Sequence, residues 1–203
     1  IAFSCAVVCN ALFLIRIRLH NIQRPTGAAE SQLVYVKVGN ILGQSDAAAL
    51  TRADLEALRR IPGVRNASVV NQPLFGSSIG ASGVSLGPDQ QRATLSATNY
   101  FGDAQLLDTL GLKLVEGRRF NADEFLDYAH LMDPNDKAVV PSVILSRTLA
   151  QRLFPGQSAI GKSIYVYGEQ RVVGVVERLV QPRDYGSGMD YESAMLFPVN
   201  MPY

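Results

Sequence analysis

The hydrophobic positions of this chain of 203 residues divide it into one apolar segment and a longer part made of short, alternating elements. Residues 1–15 are apolar except for Ser4 and Asn10, and this stretch is shorter than the roughly 20 apolar residues that span a bilayer. We interpret it as the outer part of a membrane span, so that residues 1–24 form a partial transmembrane helix with its juxtamembrane segment. A buried amphiphilic helix is the alternative. Three positive residues follow the stretch, Arg16, Arg18 and Arg24. Taken alone they favour the cytoplasmic side of a membrane, but orientation depends on the charges at both ends of a span.

Strand–helix–strand units are predicted after this segment. In the first unit, alternation predicts a strand at Leu33–Val38 and another at Val64–Val70. Between them, apolar residues recur at helical spacing after Thr51–Asp54, which has the form of a capping box. The second unit begins with a strand at Arg92–Ala97. These units predict an α+β fold in which helices pack on a mixed sheet.

The rest of the second unit alternates between strand and helix patterns. We expect a helix capped by Asn99 or Asp103 and ended by Gly111. The further expected elements are a strand at Leu112–Val115, a helix-plus-loop excursion at Asn121–Lys137, a strand at Val143–Leu145, a helix capped by Ser146 that runs to Phe154, a hairpin of Lys162–Tyr167 and Gln170–Glu177, and a last strand at Ala194–Val199.

Composition narrows the classes of function. The formal net charge is +1, and the arginines are scattered without interleaved stacking aromatics, which argues against nucleic-acid binding. Cys5 and Cys9 lie in the apolar stretch, and no further cysteine or nearby histidine completes a metal set. The remainder needs no disulfide, which fits an extracytoplasmic domain with a sufficient core and equally a cytosolic one. We expect neither a metal nor a cofactor.

Residues 156–163 match the P-loop pattern G-x4-G-K-[ST]. A working P-loop leads from a strand into a helix whose N-terminus faces the phosphate. Here a helix is expected to end at Phe154-Pro155, and the β-branched and aromatic residues after Lys162 predict a strand. We therefore interpret the segment as a turn that joins a helix to a strand.

Other patterns that resemble catalytic or metal sites also lack the required context. Residues 76–80 match the nucleophile elbow G-x-S-x-G, but neighbouring Pro and Gly residues favour a flexible loop. Residues 133–136 resemble a calcium loop without its Gly and its closing Glu, so we expect a solvated turn. His20 and His130 have no partners visible in the sequence, and we expect each at the surface or at an interface. Asp123, Glu124 and Asp127 are expected on a solvated helical face.

Two segments carry candidate partner contacts. Residues 72–89 are rich in Gly, Ser and Pro, which predicts a long mobile loop or a loose hairpin. Its apolar side chains Leu74, Phe75 and Ile79 are candidates for contact with a partner, although Leu74 and Phe75 are equally well explained as core residues.

The second segment is Glu116–Phe120, where Gly117 indicates a turn and Phe120 a buried anchor. Arg118 and Arg119 are expected to pair with acidic neighbours such as Asp123 and Glu124, with partner contact as the alternative.

The order and spacing of several blocks resemble the MacB-like periplasmic core domain of FtsX-like ABC transporter permeases. The resemblance covers roughly Leu33 to Val199. The residues that carry it are Thr98-Asn99-Tyr100-Phe101, expected to open a helix, then Leu110-Gly111-Leu112, Glu116-Gly117-Arg118-Arg119-Phe120, Val143-Ile144-Leu145-Ser146, Leu149-Ala150-Gln151-Arg152-Leu153-Phe154-Pro155-Gly156, Ile160-Gly161-Lys162-Ser163-Ile164 and Arg171-Val172-Val173-Gly174-Val175-Val176.

This resemblance implies a non-enzymatic role in transport. It implies a domain at residues 25–203 in the periplasm, C-terminally incomplete, that is attached to the bacterial inner membrane and couples cytoplasmic ATP hydrolysis to conformational change for export or lipoprotein release. The implied partners are a second permease subunit in a dimer, a cytoplasmic ATP-binding subunit or domain, and a periplasmic adaptor. It also implies two lobes, the second formed by Asn71–Arg92 and Asn121–Val140. The alternatives are a membrane-anchored periplasmic binding or chaperone domain and, less favoured, a P-loop nucleotide-dependent enzyme.

Overall fold

A computed structural model describes residues 2–39, 46–76, 79–133, 135–136, 138–182 and 190–202. The helices are α1 (Ala2–Ile22), α2 (Ala47–Arg59), α3 (Leu106–Leu110), α4 (Tyr128–Met132) and α5 (Arg147–Leu153). The strands are β1 (Ala81–Val84), β2 (Leu95–Gly102), β3 (Leu114–Gly117), β4 (Leu126–Asp127), β5 (Ser142–Ser146), β6 (Ser163–Tyr165), β7 (Glu169–Val176) and β8 (Ala194–Asn200). Short 3₁₀ turns lie at Glu30–Gln32 and Ala122–Glu124.

The strands form one mixed sheet in the order β1-β2-β8-β5-β7-β3, with β6 also paired to β7 and β4 to β8. The pairs β2–β8 and β5–β7 are parallel, whereas β1–β2, β5–β8, β3–β7 and β6–β7 are antiparallel. An antiparallel bridge between Ser85 and Tyr165 joins the end of β1 to β6. The strands β1, β2, β8, β5, β7 and β6 therefore follow one another in a ring that this single bridge closes.

Alternation along the central strands gives the sheet two apolar faces. In β5, Val143 and Leu145 belong to a first core cluster, and Ile144 between them belongs to a second. The first cluster contains the buried side chains of α5 and the aromatic rings of Phe101 and Phe197, whose centroids are 5.8 Å apart. The second cluster contains the buried leucines of α3 and also Tyr100. Helices on both faces of a mixed sheet confirm the predicted α+β class.

Local sequence signals predicted α5 and the C-terminal end of α3 correctly. The Ser146 hydroxyl accepts a hydrogen bond from the Leu149 amide, as expected of an N-cap. Leu149 and Leu153 are buried and Phe154 is half-buried. Gly111 ends α3 with φ at 68°, in the left-handed region that glycine adopts without strain. The predicted strands β5 and β8 and the hairpin of β6 and β7 are also present.

The first strand–helix–strand unit is wrong apart from its helix. Leu33–Val38 forms no strand, and its Val34 side chain is 89% exposed. Within Val64–Val70, pairing is limited to an isolated bridge between Val70 and Gly102. The alternation is present in the sequence, but a strand also needs a neighbouring edge, and among the described residues none pairs with Leu33–Val38.

The predicted start of α2 is also wrong. The helix begins at Ala47, because the Asp46 carboxylate accepts a hydrogen bond from the Ala49 amide at 2.9 Å. Thr51 lies inside the first turns and donates to the Ala47 carbonyl instead. Asp46 is therefore the N-cap, and the capping-box pattern at Thr51 is accidental.

The helix predicted to open at Thr98–Phe101 is wrong, because these residues continue β2. Pairing with β1 on one side and β8 on the other outweighs local helix signals. Accordingly Asn99 caps no helix, whereas the Asp103 carboxylate accepts from the Gln105 amide just before α3.

The middle excursions do not form a second lobe in the described part of the chain. Within 71–92, β1 pairs with β2, and within 121–140, β4 pairs with β8. Both excursions therefore join the same sheet as the rest of the domain.

Helix α1 stands apart from this body. Its window Phe3–His20 has a mean hydropathy of 1.5 and none of it is buried. By length and composition this helix is suited to cross a membrane.

Candidate functional site

The apolar loop at residues 73–79, which we call the contact loop, is held at its base by a buried amide. Gln72 is 4% exposed, and its Nε2 atom donates to the Asn99 carbonyl at 2.7 Å and to the Gly80 carbonyl at 3.2 Å. Its Oε1 atom accepts from the Gly80 amide at 2.7 Å. Asn71 adds a second hydrogen bond to the Asn99 carbonyl. These bonds attach both ends of the loop to β2, and the mobility predicted for this segment stays a prediction.

The contact loop separates its apolar residues by exposure. Leu74 is half-buried and packs against the second core cluster, whereas the Phe75 side chain is 63% exposed. Ile79 is half-buried. The core interpretation therefore fits Leu74 better than Phe75, and contact of Leu74, Phe75 and Ile79 with a partner stays a prediction. Both serines of the nucleophile-elbow pattern, Ser77 and Ser78, lie outside the described residues.

The backbone of Phe75 is unusual. Its φ is 65°, a left-handed value that a bulky side chain adopts at a cost of about 1–2 kcal/mol. Directly before it, Gln72 is hydrogen-bonded to Gly80 and Asn99 and Leu74 packs on the second core cluster, so the fold keeps an aromatic ring in solvent at an energetic cost. Such a combination is frequent at functional sites.

The arginine pair makes local ion pairs. Arg118 forms two hydrogen bonds with the Glu124 carboxylate at 2.7 and 2.8 Å, as expected. Arg119 forms two hydrogen bonds with Asp108 at 2.5 and 2.6 Å instead of with Asp123. These hydrogen bonds lower the pKa of Glu124 and of Asp108. Both arginines remain partly exposed, and their contact with a partner stays a prediction.

A tight joint connects α1 to the body. Gly27 has φ at 88°, and a Cβ atom added there would lie 2.2 Å from the Arg178 carbonyl oxygen. The Ala29 amide donates to the Leu110 carbonyl at 2.9 Å. Thr26 is 2% exposed, and its hydroxyl bonds to the Glu30 carboxylate. Sequence reasoning placed only a helix break here and missed the contact, which residues distant in sequence create.

The P-loop-like segment is a connector between α5 and β6, as predicted. A strand follows Lys162, so no helix N-terminus faces this turn. The Lys162 ammonium lies 4.7 Å from the centroid of the Phe154 ring and donates to the Gln157 side chain. Ser163 donates to the Glu169 carboxylate at 2.7 Å. The side chains that would hold a nucleotide and its metal in a P-loop therefore make intramolecular contacts.

His130 has a partner that sequence reasoning missed. Its Nδ1 atom lies 2.6 Å from a carboxylate oxygen of Asp136, within the calcium-like segment. This hydrogen bond raises the pKa of His130 and lowers the pKa of Asp136. Both groups lie at the surface, and the described residues contain no group of three or more ligands arranged for a metal ion.

The sequence also matches a family model. The MacB-like periplasmic core domain matches residues 1–202, nearly the whole chain. The chain belongs to this family. It is an extracytoplasmic domain of a MacB-like ABC transporter permease, a family of transporter domains and not a known class of enzyme. This match confirms the resemblance drawn from the sequence.

Solved structures of MacB-like domains are similar to this chain. The periplasmic region of MacB from Actinobacillus actinomycetemcomitans is 18% identical with a TM-score of 0.45, over 72% of this chain and 54% of that chain. The extracellular domain of the noncanonic ABC-type transporter YknZ from Gram-positive bacteria is 18% identical with a TM-score of 0.43, over 72% and 60% respectively. The match thus spans less than two thirds of either relative. Among curated proteins, none matches the chain in sequence.

Proposed function

We propose that this domain transmits motion between a bacterial inner membrane and the periplasm, and that it couples ATP hydrolysis in the cytoplasm to export or lipoprotein release. In this proposal residues 1–24 belong to a transmembrane helix and its juxtamembrane segment, and residues 25–203 to the periplasmic domain. ATP is hydrolysed by a separate ATP-binding subunit or domain. The domain itself transmits movement and contacts partner proteins.

The joint at Gly27 is the observation that carries this proposal. A movable tether would place a long run of flexible, solvated residues between helix and body, whereas only Gln23, Arg24 and Pro25 separate the end of α1 from buried Thr26. Here Gly27 packs on the Arg178 backbone and Ala29 is hydrogen-bonded to the end of α3. A displacement of α1 would therefore move the body as a unit, because packed interiors transmit strain.

The exposed ring of Phe75 supports a contact with a further protein. We propose a second permease subunit in a dimer, or a periplasmic adaptor, as the protein that covers it. Phe75 follows the hydrogen-bonded base of the loop, and aromatic residues, Phe included, are enriched at the cores of protein interfaces. Arg118 and Arg119 are further candidates for the polar rim of that contact.

Serine substitutions separate the two roles of the contact loop. We expect Leu74→Ser to lower the melting temperature of the domain, since a half-buried leucine contributes about 1–2 kcal/mol. We expect Phe75→Ser to leave the melt unchanged and to reduce transport by the intact transporter. Thermal melting and a transport assay on the same pair of variants measure both effects. A stable Phe75→Ser variant with normal transport would remove Phe75 from the partner surface.

The P-loop-like segment should not bind nucleotide. We expect the purified domain to bind no ATP in isothermal titration calorimetry, and Lys162→Ala to give the same result as the unmodified chain. The physical reason is the strand that follows Lys162. Micromolar ATP binding that disappears in Lys162→Ala would instead favour the nucleotide-dependent enzyme.

A membrane-anchored periplasmic binding or chaperone domain is the second candidate, favoured by the unpaired apolar segment at Leu33–Val38. The gene sequence downstream of residue 203 distinguishes the permease from the free domain. Further apolar spans downstream of residue 203 support the permease, and a stop codon there supports the free domain.

A further inference from the structure

We infer that the base of α1 carries a lipid-binding surface, the basic collar, which consists of Arg16, Arg18 and His20 and contacts anionic phospholipid headgroups. This inference rests on the proposed membrane attachment of α1. The apolar part of the helix, Phe3–Ile15, is followed directly by these residues. Arg16 is the first charged residue after this apolar run, and an arginine near the end of a membrane helix extends its guanidinium to the boundary between hydrocarbon and headgroups.

The charges of α1 are all of one sign. The helix contains no Asp or Glu. Arg16 and Arg18 are exposed and form no ion pair among the described residues. Phosphate is the matching anion, because an arginine guanidinium binds it with two parallel hydrogen bonds.

Carboxylates of the body near the joint do not supply the anionic partner of Arg16 and Arg18. Glu177 is paired with Lys113 at 3.2 Å, and Glu192 is paired with Arg178 at 2.8 Å. Gly27 packs on the backbone of Arg178, which follows Glu177 in the chain, and the Thr26 hydroxyl donates to the Glu30 carboxylate. These carboxylates near the joint therefore already have partners.

The directions of the collar side chains favour lipid over a protein partner. Successive residues of an α-helix are rotated by about 100°, so Arg16 and Arg18 point about 200° apart. His20 lies within about 40° of Arg16. A docked protein covers one side of a helix, whereas a headgroup layer surrounds it. Cations on opposite sides therefore match the membrane surface.

Vesicle binding of the whole 203-residue chain tests the collar. Cys5 and Cys9 are the only cysteines of the sequence and lie in the apolar part of α1, so a polarity-sensitive fluorophore on them reports insertion. Binding is measured with phosphatidylcholine vesicles with and without phosphatidylglycerol. We expect insertion into both and tighter binding to the anionic vesicles, by about fivefold for each collar arginine.

The collar variant is Arg16→Gln with Arg18→Gln, and the control is Arg52→Gln with Arg92→Gln, which removes the same charge from exposed positions of the body. We expect the collar variant to lose the preference for anionic vesicles and the control to keep it. If the collar variant inserts and still prefers anionic vesicles, the inference that the basic collar binds headgroups is wrong, whereas the membrane attachment of α1 still holds. A fluorophore that stays in water with both vesicles contradicts the membrane attachment itself, and the collar with it.

Discussion

Replacing Leu153 with alanine is expected to lower the free energy of unfolding by about 2–5 kcal/mol. Leu153 is 4% exposed at the end of α5 and packs in the first core cluster. The substitution removes buried methyl groups and leaves a cavity that the closed ring of strands cannot fill by collapsing, because neighbouring strands are held by hydrogen bonds on both sides. Urea unfolding of the purified domain measures the change.

Leu58→Ala is the matched control for this substitution. Leu58 is the same residue type in a helix, but its side chain is 44% exposed on α2. We expect a change within about 0.5 kcal/mol. A loss below that value for Leu153→Ala would show that α5 does not bury this face.

Replacing Gly27 with alanine is expected to have the largest effect on function. The new Cβ atom would lie 2.2 Å from the Arg178 carbonyl oxygen, so the joint between α1 and the body must open. We expect the intact transporter to retain ATPase activity and to lose most of its transport. The core of the domain does not include this joint, so the domain should still fold, with a cost of about 1–3 kcal/mol from overpacking.

Gly63→Ala is the control for the joint. Gly63 also has a positive φ, 94°, but a Cβ atom there would meet nothing within 4 Å. The Gly63→Ala variant therefore has the same kind of backbone strain as Gly27→Ala but not the steric clash. Equal transport by the two variants would contradict the role of the joint.

The elements that the sequence predicts well are those in which local and tertiary signals agree. In β5 and α5, an alternating strand, the N-cap Ser146 and the apolar face with Leu149 and Leu153 all specify the same structure. Residues 98–101 are the opposite case. Their local pattern favours a helix, but pairing with β1 and β8 makes them a strand. The pairing with β8 joins residues nearly 100 apart in sequence, such as Thr98 and Ala194, and leaves no local signal.

The candidate site was predictable only in part. Glycine and apolar residues indicated the contact loop, and charge patterns indicated the Arg118–Glu124 pair. The buried position of Gln72 was not predictable, because glutamine is usually exposed and its partners come from Gly80 and β2. The difference in exposure between Leu74 and Phe75 was not predictable either, because it depends on tertiary packing. The second core cluster packs against Leu74 and leaves Phe75 exposed.

Pulsed electron-spin distance measurement in the intact, lipid-reconstituted transporter tests the central claim most directly. A spin label on Arg92→Cys, an exposed position of the body, is paired with a label on the equivalent domain of the second permease subunit, after Cys5 and Cys9 are replaced by serine. Coupling predicts that the distance distribution between the labels shifts when the ATP-binding sites are trapped with nucleotide, and that Gly27→Ala abolishes the shift. An identical distribution with and without nucleotide, in a transporter that hydrolyses ATP, would contradict the proposal that this domain transmits motion.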